Sequence, residues 1–90
     1  MADVIDNTAR ARFELEEAGL TAFADYRIRG DVLVIPHVEA PTALRGTGAA
    51  GRLMEGLLRI VRSRGQKVIP SCPYADAYIR RHKEWQDLLA

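Results

Sequence analysis

The chain of 90 residues lacks the features that mark several classes of protein. Its single cysteine, Cys72, excludes an internal disulfide framework and is typical of a reducing cytoplasm. No apolar run is long enough to span a bilayer, and the acidic N-terminus does not resemble a secretory signal. Tracts rich in proline or in charge, which would indicate disorder, are also missing. The sequence therefore predicts one globular domain over residues 1–90, located in the cytoplasm and without a membrane partner.

Charge is nearly balanced over the whole chain, with a net value of +1, but it is divided unevenly. Residues 1–39 hold eight acids against four arginines, giving −4, whereas residues 40–90 hold nine basic residues against four acids, giving +5. A polyanionic ligand would favour the second half. No basic run is interleaved with aromatic residues, which argues against a nucleic acid partner.

Hydrophobic periodicity predicts three strands in the first half of the chain. Residues alternate over 12–16 and again over 20–28, while 31–35 is nearly all apolar, as expected of a strand covered on both faces. Short turns at Gly19 and Gly30 join them into an antiparallel meander. Residues 1–10 have weak patterning and are predicted to be a loose first segment.

The second half follows a helical and then a strand pattern. An apolar stripe runs from Ala50 to Val61, and Gly65 ends the helix. A short strand over 67–71 then returns parallel to the third strand through a right-handed crossover, which gives an α/β (α+β) fold. A final helix over 74–83 carries Tyr78 and Ile79 inward, and a terminal turn packs Trp85 and Leu88–Leu89.

Two prolines indicate where this sheet opens. Pro36 and Pro70 lie near the carboxyl ends of the two parallel strands, and neither can donate a ladder hydrogen bond. Each therefore marks a bulge or the end of pairing. Strands that separate there open a cleft at their carboxyl ends, the usual ligand site of an open α/β sheet.

A glycine-rich turn enters the first helix at this edge, with the sequence Arg45-Gly46-Thr47-Gly48-Ala49-Ala50. Such a turn presents unpaired backbone N–H groups at the positive end of the helix dipole, where phosphate or pyrophosphate binds. The alternative is a helix start that merely needs flexible residues.

Four segments together resemble the small, single-domain members of the GNAT acyltransferase superfamily. They are His37–Pro41, Leu44–Ala50, Ser71–Tyr74 and Tyr78–His82. The acetyl-CoA signature of the superfamily falls on Arg45, Gly48 and Ala50; the small subfamily more often has glycine at the last position. The resemblance implies a compact fold with splayed parallel strands, and acetyl-CoA as co-substrate. It implies that the amides of Arg45–Ala50 hold the CoA pyrophosphate and that pantetheine pairs with the third strand, without the additional helices that shape the acceptor site of larger members.

Three side chains are candidates for the chemistry. His37 is a candidate general base because imidazole exchanges protons near neutral pH, or else a structural histidine; Glu39 is its substitute. Cys72 is a candidate nucleophile that would carry the acetyl group, or a small buried residue that lines the cleft.

The resemblance makes Tyr78 the candidate acid that protonates the departing sulfur, with a core aromatic as the alternative and Tyr74 as substitute. The basic run from Arg80 to Lys83 either contacts phosphates or is a solvated face. His37, Cys72 and His82 have no metal-ligand spacing, so no metal is expected.

The sequence therefore predicts an acetyl-CoA-dependent N-acyltransferase acting on a small amine or a lysine-containing peptide. A non-catalytic acyl-CoA-binding module is the alternative, and a scaffold that has lost its ligand is a third. An open sheet edge also permits a homo-oligomer.

Overall fold

The computed structural model describes residues 3–90 and contains one mixed five-stranded sheet with helices. The strands are β1 (Ile5–Asn7), β2 (Arg12–Glu17), β3 (Leu20–Arg29), β4 (Val32–Glu39) and β5 (Lys67–Ile69). The helices are α1 (Ala49–Ser63) and α2 (Pro73–Arg81), and 3₁₀ turns occupy Thr8–Arg10, Thr42–Leu44 and Lys83–Leu88. Strand order follows the sequence; β1 to β4 are antiparallel, and β4 and β5 are parallel. The predicted α/β architecture is confirmed.

The prediction of a loose first segment is wrong for residues 5–10, while residues 1 and 2 lie outside the described residues. Strand β1 pairs with β2, and Asp6 accepts hydrogen bonds from the Tyr26 hydroxyl at 2.6 Å and from Arg64 at 2.7 Å. Val4 lies against Gly56 of α1, where a Cβ atom would approach its Cγ2 to 2.2 Å. These partners are distant in sequence, so local patterning gives no sign of them.

The core lies between one face of the sheet and the two helices. Leu53, Leu57 and Val61 of α1 are fully buried, as is Ile79 of α2. The sheet contributes Phe13, Leu15, Ala22, Ala24, Leu33, Ile35 and Val68 to the same cluster. We call this side the covered face and the other side the open face.

Strand β4 is covered on one face alone within the part of the chain that the structure describes, so the prediction of cover on both faces is wrong. Leu33 and Ile35 are buried on the covered face, whereas Val32 and Val34 are half-buried on the open face. The strand nevertheless carries apolar residues on both sides.

Both prolines lie where pairing changes, as predicted. Tyr26 of β3 faces two residues of β4, Ile35 and Pro36, which form a bulge. Parallel pairing between β4 and β5 ends at Val34 and Ile69, two residues before Pro36 and one residue before Pro70. One further bond, from the Cys72 amide to the Ile35 carbonyl at 2.9 Å, follows before the strands part. Residues 36–39 of β4 thus have no β5 neighbour.

The helix ends are close to those predicted. Helix α1 begins one residue early, at Ala49, and Gly65 follows its end with φ of 68°. Helix α2 ends at Arg81, and the following turn buries Trp85 and Leu88. Leu89 was expected to pack inside, but it is 40% exposed and forms a parallel bridge with Val68 at the edge of the sheet.

Candidate functional site

The turn before α1 has the backbone shape that its glycines allow. Gly46 and Gly48 have φ of 80° and 86°, in the left-handed region that other residues rarely adopt. Leu44 is buried and anchors the start of the turn. The Thr47 hydroxyl donates to the Leu44 carbonyl at 2.6 Å and accepts from the Ala49 amide at 3.3 Å, which fixes the entry into the helix.

Several amides of this turn have no hydrogen-bond acceptor within residues 3–90. The amides of Arg45, Thr47 and Ala49 are satisfied by Thr42, Leu44 and the Thr47 hydroxyl. Those of Gly46, Gly48, Ala50 and Gly51 have no partner there. No acidic residue occupies the first turn of α1. Free amides at an uncompensated helix N-terminus suit an anion.

Arg52 links the turn to Glu17 of β2, and we call these hydrogen bonds the Arg52 brace. Its Nε and Nη2 atoms donate to both carboxylate oxygens of Glu17 at 2.7 Å, and its Nη1 atom donates to the Thr47 carbonyl at 3.0 Å. A Cβ atom at Gly48 would lie 3.0 Å from that same Nη1. Hydrogen bonding from Arg52 holds the pKa of Glu17 below its ordinary value, so the pair stays ionised at neutral pH.

A cleft of about 360 Å³ lies over the turn. Its lining consists of Ala40, Leu44, Arg45, Gly46, Gly48, Ala49, Ala50, Gly51 and Tyr74. Five of the six predicted binding residues are therefore in the wall, and Thr47 supports them from behind. Sequence reasoning missed Gly51, although its amide belongs to the same first helical turn as that of Ala50.

Tyr74 is the tyrosine that lines this cleft. It begins α2 after Pro73 and is 42% exposed. Partial burial raises the pKa of its phenol, and the nearby Cys72 adds to this, while the positive charge of Arg81 opposes it. The phenol therefore keeps its proton at neutral pH.

Tyr78 lies one turn further along α2 and is not among the residues of the cleft wall. Its ring packs beside Gly51, where a Cβ atom would be 3.8 Å from Cε2. The His82 ring stacks on it with centroids 3.9 Å apart, and His82 Nδ1 donates to the Tyr78 carbonyl at 2.7 Å. Burial raises the pKa of Tyr78, and the charges of Glu55 and Glu84 contribute in the same direction.

His37 lies on the open face of the sheet, away from the turn. Strict alternation from Leu33 and Ile35 would direct residue 37 toward the core, but the bulge shifts the register by one. His37 consequently stands opposite Asp25, and its Nε2 atom is 3.1 Å from Glu39 Oε1. Its imidazole is half exposed, and it lies outside the cleft wall.

Cys72 is 6% exposed and precedes α2 as its N-cap residue. It is also outside the cleft wall, although its amide bonds to β4 two residues before His37. The structure thus brings the glycine turn and Tyr74 together. It holds His37 and Cys72 beside the point where the strands part.

Residues 3–90 contain no group of three or more histidine, cysteine, aspartate or glutamate side chains placed to hold a metal ion. Over the same residues, no helix is long and apolar enough to cross a membrane.

Comparison with known proteins identifies the family. The sequence model of the GCN5-related N-acetyl-transferase family matches residues 12–88, which is most of the chain. The chain belongs to the GCN5-related N-acetyltransferase (GNAT) family. Acyl transfer is the reaction class of this family, and its acetyltransferases use acetyl-CoA as co-substrate.

The fold of this GNAT protein is similar to that of a GCN5-like candidate N-acetyltransferase from Staphylococcus aureus, solved by solution NMR. The TM-score is 0.70 at 19% sequence identity, and the match covers 98% of this chain and 87% of the other. At this identity the likeness concerns the fold. The GNAT resemblance predicted from the sequence is confirmed at the level of family and fold.

Proposed function

We propose that the chain transfers an acetyl group from acetyl-CoA to a small amine or to a lysine side chain of a peptide. Four unpartnered amides carry this proposal because their residues lie at the start of α1 and all line the cleft: Gly46, Gly48, Ala50 and Gly51. A pyrophosphate presents several acceptor oxygens and negative charge to such a group of donors. The residues present therefore fit the CoA diphosphate.

The remainder of the donor would lie along the free edge of β4. Residues 36–39 have no β5 neighbour, so their outward backbone groups are available to the amides of pantetheine. The bound thioester supplies an activated acetyl group, and the chain's part is to hold its carbonyl where the strands diverge. Such positioning supplies much of the rate of a transfer reaction.

His37 would accept the proton of the attacking amine. Its Nε2 atom lies 3.1 Å from Glu39 Oε1, which supports this role because a hydrogen bond to a carboxylate orients the imidazole ring. Tyr74 is the preferred donor of the proton to the departing sulfur because it lines the cleft, and Tyr78 is the second candidate. Partial burial raises the pKa of both phenols, so each would hold its proton until sulfur takes it.

A route through Cys72 is the alternative to direct transfer. In it, the Cys72 thiolate would attack the acetyl carbonyl and displace CoA thiolate, which takes up a proton; the amine would then attack the acetyl-cysteine, lose a proton and release the Cys72 thiolate. Mass spectrometry after incubation with acetyl-CoA tests this route. An adduct with the mass of one acetyl group (about 42 Da) on the native chain, missing from Cys72→Ala, would support the cysteine route. A native chain that turns over without becoming modified would exclude this route.

Calorimetry with CoA tests whether the unpartnered amides of the glycine turn bind the diphosphate. Gly48→Ala introduces a Cβ at φ of 86°, against the brace of Arg52, and should weaken CoA binding by about tenfold or more. Gly30→Ala is the matched control, because Gly30 also has positive φ but lies in the β3–β4 turn with nothing within 4 Å of its Cβ position. Equal CoA affinities for the two variants would contradict the proposal that the glycine turn binds the diphosphate.

Release of free thiol from acetyl-CoA, measured over a panel of amines and lysine peptides, tests turnover. We expect His37→Ala to lower kcat by about 100-fold, and Tyr74→Phe to lower it more than Tyr78→Phe does. The second candidate function is a non-catalytic acyl-CoA-binding module, which the absence of His37 and Cys72 from the cleft wall favours. CoA binding without turnover of any amine would select the module.

A further inference from the structure

The open face of the sheet carries a divided pattern of charge. The side chains on this face follow from the pairing registers, because every second residue of a strand points to the same side. At one end of the strands lie Glu14, Glu16, Asp25 and Glu39, with Arg12 among them. At the other end lie Arg27, Arg29 and Lys67.

The two ends have opposite charge of equal size. Four carboxylates against Arg12 give the acidic end −3, and three basic side chains give the basic end +3. Four of these charges are engaged within the chain: Arg12 Nε lies 2.6 Å from Glu14, Glu39 lies 3.1 Å from His37 Nε2, and Lys67 Nζ donates to the Asp87 carbonyl at 2.7 Å. Among residues 3–90, no ion pair involves Glu16, Asp25, Arg27 or Arg29.

Apolar side chains occupy the same face between the charges. Phe23, Val32 and Val34 are half-buried, while Ile5 and Ile69 are 64% and 40% exposed. Strand β4 thus has the composition of a strand covered on both faces, yet residues 3–90 supply a cover on one face.

We propose that the open face is the interface of a homodimer, in which the acidic end of each copy packs on the basic end of its partner. A twofold axis lying in the interface and perpendicular to the strands reverses the strand direction of the second copy. This operation sets −3 against +3 at both ends, and each contact occurs twice, as in an isologous interface. A twofold axis parallel to the strands would instead oppose like charges.

The size of the face suits a second copy of the chain. The five strands hold 30 residues, and about 3.3 Å along the strand by about 4.8 Å between strands for each residue gives a face of roughly 500 Å². That is of the same order as the roughly 800 Å² that each partner contributes to a standard interface. Two sheets packed face to face through Val34, Phe23 and Ile69 would form a sandwich of an ordinary kind.

Charge reversal provides the experiment. One variant, Arg27→Glu with Arg29→Glu, reverses the basic end, and another, Glu16→Lys with Asp25→Lys, reverses most of the acidic end. Sedimentation equilibrium from about 1 to about 500 µM should show a native dimer that weakens when salt rises from about 20 to about 500 mM. Each variant alone should self-associate at least about tenfold more weakly.

The decisive measurement is a mixture of the two variants. One then has two acidic ends and the other two basic ends, so the mixture should form a heterodimer that neither forms by itself. Arg59→Glu with Arg80→Glu makes the same change of net charge on the helices, and it should leave the native dimer intact. Circular dichroism checks that each variant is folded.

Three results would overturn the proposal. They are a monomeric native chain over the whole concentration range, a native dimer that persists in both reversed variants, and folded variants whose mixture stays monomeric.

Discussion

The covered face and the open face of the same sheet follow different chemistry. On the covered face, Phe13, Leu33 and Ile35 are at most 1% exposed, and no charged residue is buried there or elsewhere within residues 3–90. On the open face, alternating residues of the same strands carry seven charged side chains besides Arg12 and only half-bury their apolar neighbours. The strands therefore derive their stability from one side and leave the other side available for recognition.

The proposed site uses both faces. The glycine turn and Tyr74 stand on the side of the helices, whereas the His37–Glu39 pair stands on the open side because of the bulge at Pro36. Because the proposed dimer covers the open face, the amine would reach this pair along the free edge of β4, where the donor is also held.

Truncation on the two faces should give the largest contrast in stability. Leu57→Ala empties a site that is 0% exposed, and the lost contacts plus the cavity should lower the free energy of unfolding by about 2–5 kcal/mol. Val34→Ala on the open face should cost about 1 kcal/mol, because much of that side chain already meets water. Urea denaturation of dilute protein in high salt measures both. Equal losses would mean that the open face is covered within a single chain.

The hydrogen bond between Tyr26 and Asp6 should give the next largest effect, and it is sensitive to alkaline pH. Tyr26→Phe removes a bond to a carboxylate and should cost about 1.5–3 kcal/mol at pH 7. Burial, reinforced by Asp6, raises the pKa of Tyr26 from 10.0 to about 12. The raised pKa means that the stabilisation is complete below pH 10 and is lost as pH rises toward 12.

The free energy of unfolding, measured from about pH 8 to about pH 12, tests whether stability falls as Tyr26 loses its proton. The native chain should lose stability more steeply than Tyr26→Phe does, and Asp6→Asn should lie between them because the charge is gone but an acceptor remains. Parallel curves for native and Tyr26→Phe proteins would contradict the assignment.

Two glycines of α1 differ in the space available for a side chain, and they test the packing of the helix. Gly56→Ala places a Cβ 2.2 Å from Val4 Cγ2, and the clash should exceed the gain in helix propensity, giving a net loss of about 1–2 kcal/mol. Gly51→Ala meets Tyr78 at an ordinary 3.8 Å and should instead be neutral or stabilising by up to about 1 kcal/mol. Thermal denaturation compares them, and removal of the obstacle by Val4→Gly should largely rescue Gly56→Ala. If Val4→Gly does not rescue Gly56→Ala, the loss of stability does not come from the contact with Val4.

How much the sequence predicts depends on whether a feature is local. The stripe from Leu53 to Val61 and the glycine turn are recognisable because a helix period and a left-handed backbone are written in adjacent residues. The side of the sheet on which His37 lies cannot be recognised in this way, because one extra residue in β4 reverses the alternation that Leu33 and Ile35 begin. The pairing of Arg52 with Glu17, 35 residues away, depends on how α1 crosses β2 and has no local signal.

The smallest effect should come from two neighbouring acids that face opposite sides. Glu17 braces the turn through Arg52, whereas Glu16 points to the open face without an ion pair among the described residues. Because Arg52 lowers the pKa of Glu17, the brace is present above the ordinary value of 4.5 and is lost as pH falls below it. Glu17→Gln should therefore weaken CoA binding by a few-fold at pH 7, with the native protein converging on the variant in acid. Glu16→Gln should match the native affinity at every pH, and an equal loss in both variants would trace the effect to general charge and not to the brace.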